Sequence, residues 1–240
     1  MDLAELREQV CEANLGLVRA GLVTLSFGNA SGVDRDTGAL VIKPSGVAYD
    51  RLRPSEMVVV NLADGAVREG TYRPSSDTPT HLALYRRYPS IGGIVHTHSA
   101  AASAWAQARR AIPCLGTTHA DYFDGPVPVT RDMTPEEIGG DYEANTGSVI
   151  VEWFAEQGLD PAAIPGVLVA SHGPFTWGRT LPEAVEAAIA LEAIAARALD
   201  TLRIAPDAAP ISTALLRRHH DRKHGPRAYY GQPSHPPRIG

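Results

Sequence analysis

Lysine is almost missing from these 240 residues, with Lys43 and Lys223 the only two. Schiff-base chemistry therefore has two possible amines and no more. Cysteine is equally scarce. Cys11 and Cys114 cannot build a disulfide framework, so a reducing, cytoplasmic setting is expected. No apolar run is long enough to span a bilayer, and no membrane partner is expected. Residues 1–9 are acidic and polar, without a basic segment ahead of an apolar core, so no secretory leader is expected. A basic excess is also missing. The net charge of -5 argues against a nucleic-acid partner. There is no dinucleotide-type glycine fingerprint, no Walker loop and no internal repeat.

What remains is an ordinary globular balance, 44% hydrophobic and 20% charged, able to bury a real core. Leu3, Leu6, Val10, Ala13 and Leu17 recur at helical spacing, with Gly21 as a stop. Residues 23–31 alternate like a strand and end in small polar residues. Asp36-Thr37-Gly38 then turns the chain into a returning strand over 39–42. A third strand is predicted over 57–62, followed by an Asp64-Gly65 turn. Helices are predicted from Pro79 to Tyr88, over 100–108, within 135–157 and over 181–202, with a last one around Leu215 and Leu216. Hairpins at the front and helices between later strands predict an α/β domain. Its central sheet should be mixed, largely antiparallel, and lie between helix layers. The expected organisation is one domain over 1–232 and a flexible proline-rich tail over 233–240.

Chemistry concentrates at chain breaks. In Gly92-Gly93-Ile94-Val95-His96-Thr97-His98-Ser99, Ile94 and Val95 suggest a strand. Residues two apart on a strand share a face, so His96 and His98 can meet one metal ion. On that pair alone an ordinary polar strand end is the commoner reading. His172 follows a second apolar strand, 167–170, within Ser171-His172-Gly173-Pro174. Lys43-Pro44-Ser45-Gly46 is either an anion cradle or plain turn chemistry. Ser75, Ser76 and Asp77 precede the Pro79 helix. Either Asp77 or Thr78 simply caps it, or the serines hold an anion while Asp77 faces a metal. Residues 117–123 read as a surface loop by default, or as a carrier of Asp121 as an acid–base group for a neighbouring site.

Six stretches together are similar to the class II aldolase/adducin family: 41–47, 74–81, 91–99, 116–123, 165–175 and 223–232. The resemblance runs from residue 2 to residue 232. It implies a Zn²⁺-dependent homotetramer with active sites between subunits, Mn²⁺ or Co²⁺ being able to serve in place of Zn²⁺. His96, His98 and His172 match the metal histidines, and Asp77 the acidic position beside them. Gly28, Asn29, Ser45, Gly46, Ser75 and Ser76 match the residues that bind a substrate phosphate, with Lys43 close by. Asp121 and Tyr230 match acid–base residues contributed by the neighbouring subunit, and His219 and Arg222 further polar residues on that face. The activity implied is interconversion of L-ribulose 5-phosphate and D-xylulose 5-phosphate by inversion at C4, within pentose catabolism and arabinose use. Aldolases of the same family, acting on fuculose or rhamnulose 1-phosphate, are the alternative. They carry Glu where this chain has Asp77. A non-catalytic adducin-like interaction module is a remoter one, since it would not need the three histidines. Phe27 departs from the pattern, standing where Trp is usual.

Overall fold

The computed structural model describes residues 2–230. The chain opens with α1 (Leu3–Arg19), capped by the Asp2 carboxylate and ended at Gly21, whose φ of +69° suits a residue without a side chain. Then follow β1 (Asn29–Asp34), β2 (Ala39–Ile42), β3 (Val58–Asn61), β4 (Val67–Glu69), α2 (Thr78–Arg87), β5 (Gly93–His96) and α3 (Ala100–Gln107). The second half carries α4 (Thr117–Ala120), α5 (Pro135–Gly139), α6 (Tyr142–Glu156), β6 (Gly166–Leu168), β7 (Pro174–Gly178), α7 (Leu181–Ile204) and α8 (Thr213–His224).

The strands form one sheet in the order β4-β3-β2-β1-β5-β7-β6. Every strand pair is antiparallel. Among the described residues the parallel contact is an isolated bridge, Val129 with Leu168, so the expected mixture reduces to that point. Alternation along the strands divides the interior in two. Leu40, Ile42, Val58, Val60 and Ile94 face α2, α3 and α6. Ala30, Ala39, Val41, Val59 and Val95 face α1. Helix α7 serves both sides, Leu181 and Ala184 in the second core and Leu191 and Ile194 in the first. This is a sheet between helix layers.

Two strands are shorter than their patterns predict. Residues 23–28 stay out of the sheet. Leu25 adopts φ +55° and is 78% exposed, and Phe27 N–H closes a turn on the Thr24 carbonyl. The alternating side chains have no face to bury, and β1 begins only at Asn29. Likewise β6 stops at Leu168, because Val169 N–H bonds the Gly173 carbonyl across a tight turn. Residues 117–120 form one helical turn rather than a loop. No helix among the described residues is long and apolar enough to cross a membrane. The tail expected over 233–240 lies outside the described residues.

Candidate active site

The β5 strand delivers the first histidine. His96 closes the strand, paired with Asn29 on one side and Phe175 on the other. Its ring stacks on Phe175 at 4.2 Å between centroids. Its Nδ1 lies 3.0 Å from the Pro174 carbonyl. A carbonyl can only accept, so Nδ1 carries the hydrogen and Nε2 keeps its lone pair. His98 Nε2 lies 3.0 Å from that atom. Phe27 stacks on the His98 ring at 6.0 Å.

The third histidine arrives on the β6–β7 turn. Ser171 takes φ +62°, its N–H bonds the Ala106 carbonyl, and His172 N–H bonds Val169. The His172 ring then sits 4.8 Å from His96 and 5.0 Å from His98. One ligand atom from each of the three rings lies within 4.8 Å of the others. Burial pushes the His96 pKa down to about 3 and lowers that of His172 as well, so both rings are neutral near pH 7. Neutral imidazole is the form a metal binds. Two nitrogens on one tetrahedral zinc stand about 3.4 Å apart, close to the His96–His98 spacing. His172 Nδ1 is buried and bonds nothing among the described residues. The donor set fits a divalent metal.

Asp77 occupies the N-cap position of α2, yet its carboxylate caps nothing. Oδ2 instead accepts a 2.6 Å hydrogen bond from Asn29 Nδ2, which also reaches Ser75 Oγ at 3.1 Å. Burial alone would raise the Asp77 pKa. The neighbouring His96 and His81 rings and the Asn29 bond outweigh it and leave the group lowered, hence ionised. Gly28 turns the chain toward Asn29 at φ +87°, where a Cβ would meet the His96 carbonyl at 2.9 Å.

Beside the carboxylate, two loops are tied back to back. Ser45 N–H bonds the Arg73 carbonyl and Ser75 N–H bonds that of Lys43. Lys43 is 2% exposed, with Nζ 3.4 Å from the Pro44 carbonyl and 4.8 Å from the Tyr49 ring centroid. Burial lowers its pKa. A buried ammonium so thinly partnered favours an incoming anion.

One cleft of about 420 Å³ is lined by Gly28, Asn29, Lys43, Ser45, Gly46, Ser75, Ser76, Asp77, His96, His98 and His172. Tyr142 and Glu143 also line it, and the sequence did not single them out. They open α6, with Tyr142 6.3 Å from the His172 ring. A helix start after Gly140-Asp141 was their one visible signal.

Asp121 and Tyr230 are elsewhere in the chain, away from the cleft lining. Asp121 accepts from Arg222 Nε at 2.9 Å and Nη2 at 2.6 Å, and lies 3.1 Å from His219 Nδ1. Burial opposes ionisation, but Arg222 and His219 hold the Asp121 carboxyl below the usual range. Tyr230 N–H bonds the Arg222 carbonyl, and its ring centroid lies 4.7 Å from the guanidinium. So α8 gathers Asp121, His219, Arg222 and Tyr230 into one cluster.

Three imidazoles converging at the end of an antiparallel α/β sheet, beside a tied pair of serine-bearing loops, define a class: the sugar-phosphate epimerase and aldolase type of enzyme. The chain belongs to the class II aldolase and adducin family, whose model, "Class II Aldolase and Adducin N-terminal domain", matches residues 8–199. It is 54% identical over 230 residues, 96% of this chain and 100% of each relative, to proteins of Salmonella paratyphi A and Salmonella typhi. Both relatives are named L-ribulose-5-phosphate 4-epimerase UlaF. Among solved structures, an L-fuculose 1-phosphate aldolase shares the fold, with TM-score 0.76 and 22% identity over 91% of this chain and 95% of that one. The L-fuculose-1-phosphate aldolase of Thermus thermophilus gives TM-score 0.65 and 26% identity over 87% of this chain and 100% of that one.

Proposed function

We propose that this protein interconverts L-ribulose 5-phosphate and D-xylulose 5-phosphate by inverting C4. The observation that carries the reading is the single cleft in which three converging histidines and Asp77 stand beside the Ser45–Gly46 and Ser75–Ser76 loops. That layout suits a substrate with a ketose at one end and a phosphate at the other. The Salmonella relatives bear the name of this activity.

The substrate's own chemistry selects the route. The C4 hydrogen is not acidic, so direct deprotonation there is unattractive. Removing the C4 hydroxyl proton instead lets the C3–C4 bond break. Its electrons pass to the C2 carbonyl side, leaving a dihydroxyacetone enediolate and glycolaldehyde phosphate. The aldehyde rotates, the enediolate adds to its other face, and O4 regains a proton. His96, His98 and His172 would hold a divalent ion, Zn²⁺ foremost with Mn²⁺ or Co²⁺ as substitutes, with Asp77 supplying negative charge beside it. When bound, that ion supplies Lewis-acid stabilisation of the enediolate charge. Gly28, Asn29, Lys43, Ser45, Gly46, Ser75 and Ser76 hold the phosphate, so the aldehyde fragment turns without escaping. The oxygen at C4 lies on opposite sides before and after rotation, so two acid–base groups are wanted. Asp121 and Tyr230 take these roles from a neighbouring subunit, which accounts for their distance from their own chain's cleft. The assembly proposed is a homotetramer with shared sites. Two free buried cysteines, Cys11 and Cys114, suit a cytoplasmic setting. Both ends of the reaction are pentulose 5-phosphates, which suits a role in pentose catabolism.

The test is product analysis with the Zn²⁺-loaded protein. D-xylulose 5-phosphate formed from L-ribulose 5-phosphate, without accumulation of glycolaldehyde phosphate, is the expected result. Release of dihydroxyacetone phosphate from L-fuculose 1-phosphate, with ribulose phosphate untouched, would overturn the reading in favour of an aldolase.

A further inference from the structure

His81 is a buried ionisable side chain that the mechanism above leaves unused. It is 0% exposed and lies one helical turn after Asp77, its N–H bonding the Asp77 carbonyl. Residues four apart on a helix share a face. The face carrying Asp77 and His81 meets β1, where Asn29 and Ser31 are two apart and also share a face. The pairs match in order: Asn29 Nδ2 binds Asp77 Oδ2 at 2.6 Å, and Ser31 Oγ lies 2.7 Å from His81 Nδ1. The His81 ring stands edge-on to Phe175 at 6.0 Å, and Phe175 stacks on His96. His81 thus backs both the carboxylate and the first histidine.

The hydrogens can be assigned. Tyr85 OH donates to the Ser31 carbonyl at 2.9 Å, which uses its one proton. His81 Nε2 is buried and bonds nothing among the described residues. The charge acting on the ring is that of Asp77. A lone pair on Nε2 would be repelled by that carboxylate, whereas an N–H is attracted. The Ser31 hydroxyl therefore donates to Nδ1, and Nε2 carries the hydrogen. A buried donor requires an acceptor, and with no described residue bonding Nε2 directly, that acceptor is reached through one water.

We propose that His81 is a positioning residue: its Nε2–H, fixed by Ser31, orients the Asp77 carboxylate toward the three-histidine site. Asn29 holds the carboxylate from the strand and His81 from the helix interior. Outer partners of this kind set how a metal site is presented, and losing one costs about 10- to 100-fold in affinity or activity. The proposal rests on the metal-site reading but not on the identity of the sugar phosphate.

The test compares His81→Phe, which keeps a ring of similar size, with His81→Gln, whose amide nitrogen can replace Nε2–H. Zn²⁺ affinity, kcat, KM and the melting temperature of metal-free protein are measured for each. His81→Phe should bind Zn²⁺ about tenfold more weakly and lose about tenfold in kcat with KM little changed, while His81→Gln stays within about threefold of wild type. His81→Phe with wild-type Zn²⁺ affinity and kcat would overturn the proposal, and so would His81→Gln as impaired as His81→Phe. If neither folds, Ser31→Ala decides: Zn²⁺ affinity weaker by about threefold or more supports the relay, and unchanged affinity refutes it. Zn²⁺ affinity separates the two readings, because it tests His81 even if wild-type protein leaves L-ribulose 5-phosphate unchanged.

Discussion

His119 makes acid sensitivity a measurable consequence of this fold. The residue lies on α4, is 4% exposed, and stands edge-on to Phe123. Its Nε2–H donates to the Gly125 carbonyl at 2.8 Å. Burial, opposed by that carbonyl, lowers its pKa from 6.5 to about 4. A histidine with a depressed folded-state pKa makes the unfolded chain the stronger proton binder. Stability is therefore full above 6.5 and drains away as pH falls from there toward 4. The loss from this one ring is about 2 kcal/mol by pH 5 and about 3 kcal/mol by pH 4. In a protein of this size about 2 kcal/mol is roughly 4–8 °C in melting temperature. His81 and His96 add losses of the same sign, so wild type alone does not isolate the effect. A comparison with His119→Gln does, because glutamine can keep the bond to Gly125 and cannot titrate. Urea unfolding of both proteins at pH 7 and pH 5 reads the difference. The gap between them should move by about 2 kcal/mol in favour of His119→Gln at the lower pH. Parallel behaviour at the two pH values would refute the claim that His119 is buried neutral.

His98→Asn should abolish stoichiometric metal binding while leaving the fold intact, as read by metal analysis and circular dichroism. Full metal content with full activity would remove His98 from the ligand set. Gly28→Ala should cost about 2–3 kcal/mol, combining the penalty of its positive φ with a clash against the His96 carbonyl. Gly38→Ala, at φ +62° in open space, should cost only about 1 kcal/mol. Equal losses in the two urea titrations would mean that the close approach of Gly28 to β5 carries no weight.

The three converging histidines were readable because their spacing and setting are local. His96 and His98 follow a strand period, and His172 sits where Gly and Pro turn the chain after an apolar strand. The cap-or-ligand question at Asp77 was not local. It turns on Asn29, 48 residues earlier, whose amide takes the carboxylate away from the helix end. Tyr142 and Glu143 were invisible for a similar reason. Thr80 Oγ1 donates to the Glu143 carbonyl at 2.6 Å and draws the start of α6 onto α2 beside the cleft. Residues 23–28 mislead in the opposite direction. Val23, Leu25 and Phe27 alternate as a strand would, but Leu25 and Phe27 remain exposed, and Phe27 lies over His98 instead. Periodicity reports what a side chain could bury, whereas neighbours distant in the chain decide what it does bury.

The separation of two polar centres within one chain leads to a further test. The cleft groups come from β1, β5, the β6–β7 turn and the loops ahead of α2. Asp121 and Tyr230 are held by α8 through Arg222. If one subunit's cleft is completed by its neighbour's Asp121 and Tyr230, each site draws on two chains. His98→Asn then spoils a subunit's own cleft and spares what it lends. Tyr230→Phe spoils what it lends and spares its cleft. Each variant alone should be nearly inactive. Dissociated, mixed in equal amounts and reassembled, they should give about one intact site in four, from a Tyr230→Phe cleft facing a His98→Asn neighbour. Recovery of about a quarter of wild-type activity is the expected outcome. A mixture no more active than its parts, with subunit exchange confirmed by mass spectrometry, would mean that each chain completes its own site. In that case Asp121 and Tyr230 would have to move toward the cleft of their own subunit, breaking the Arg222 clamp that holds them here.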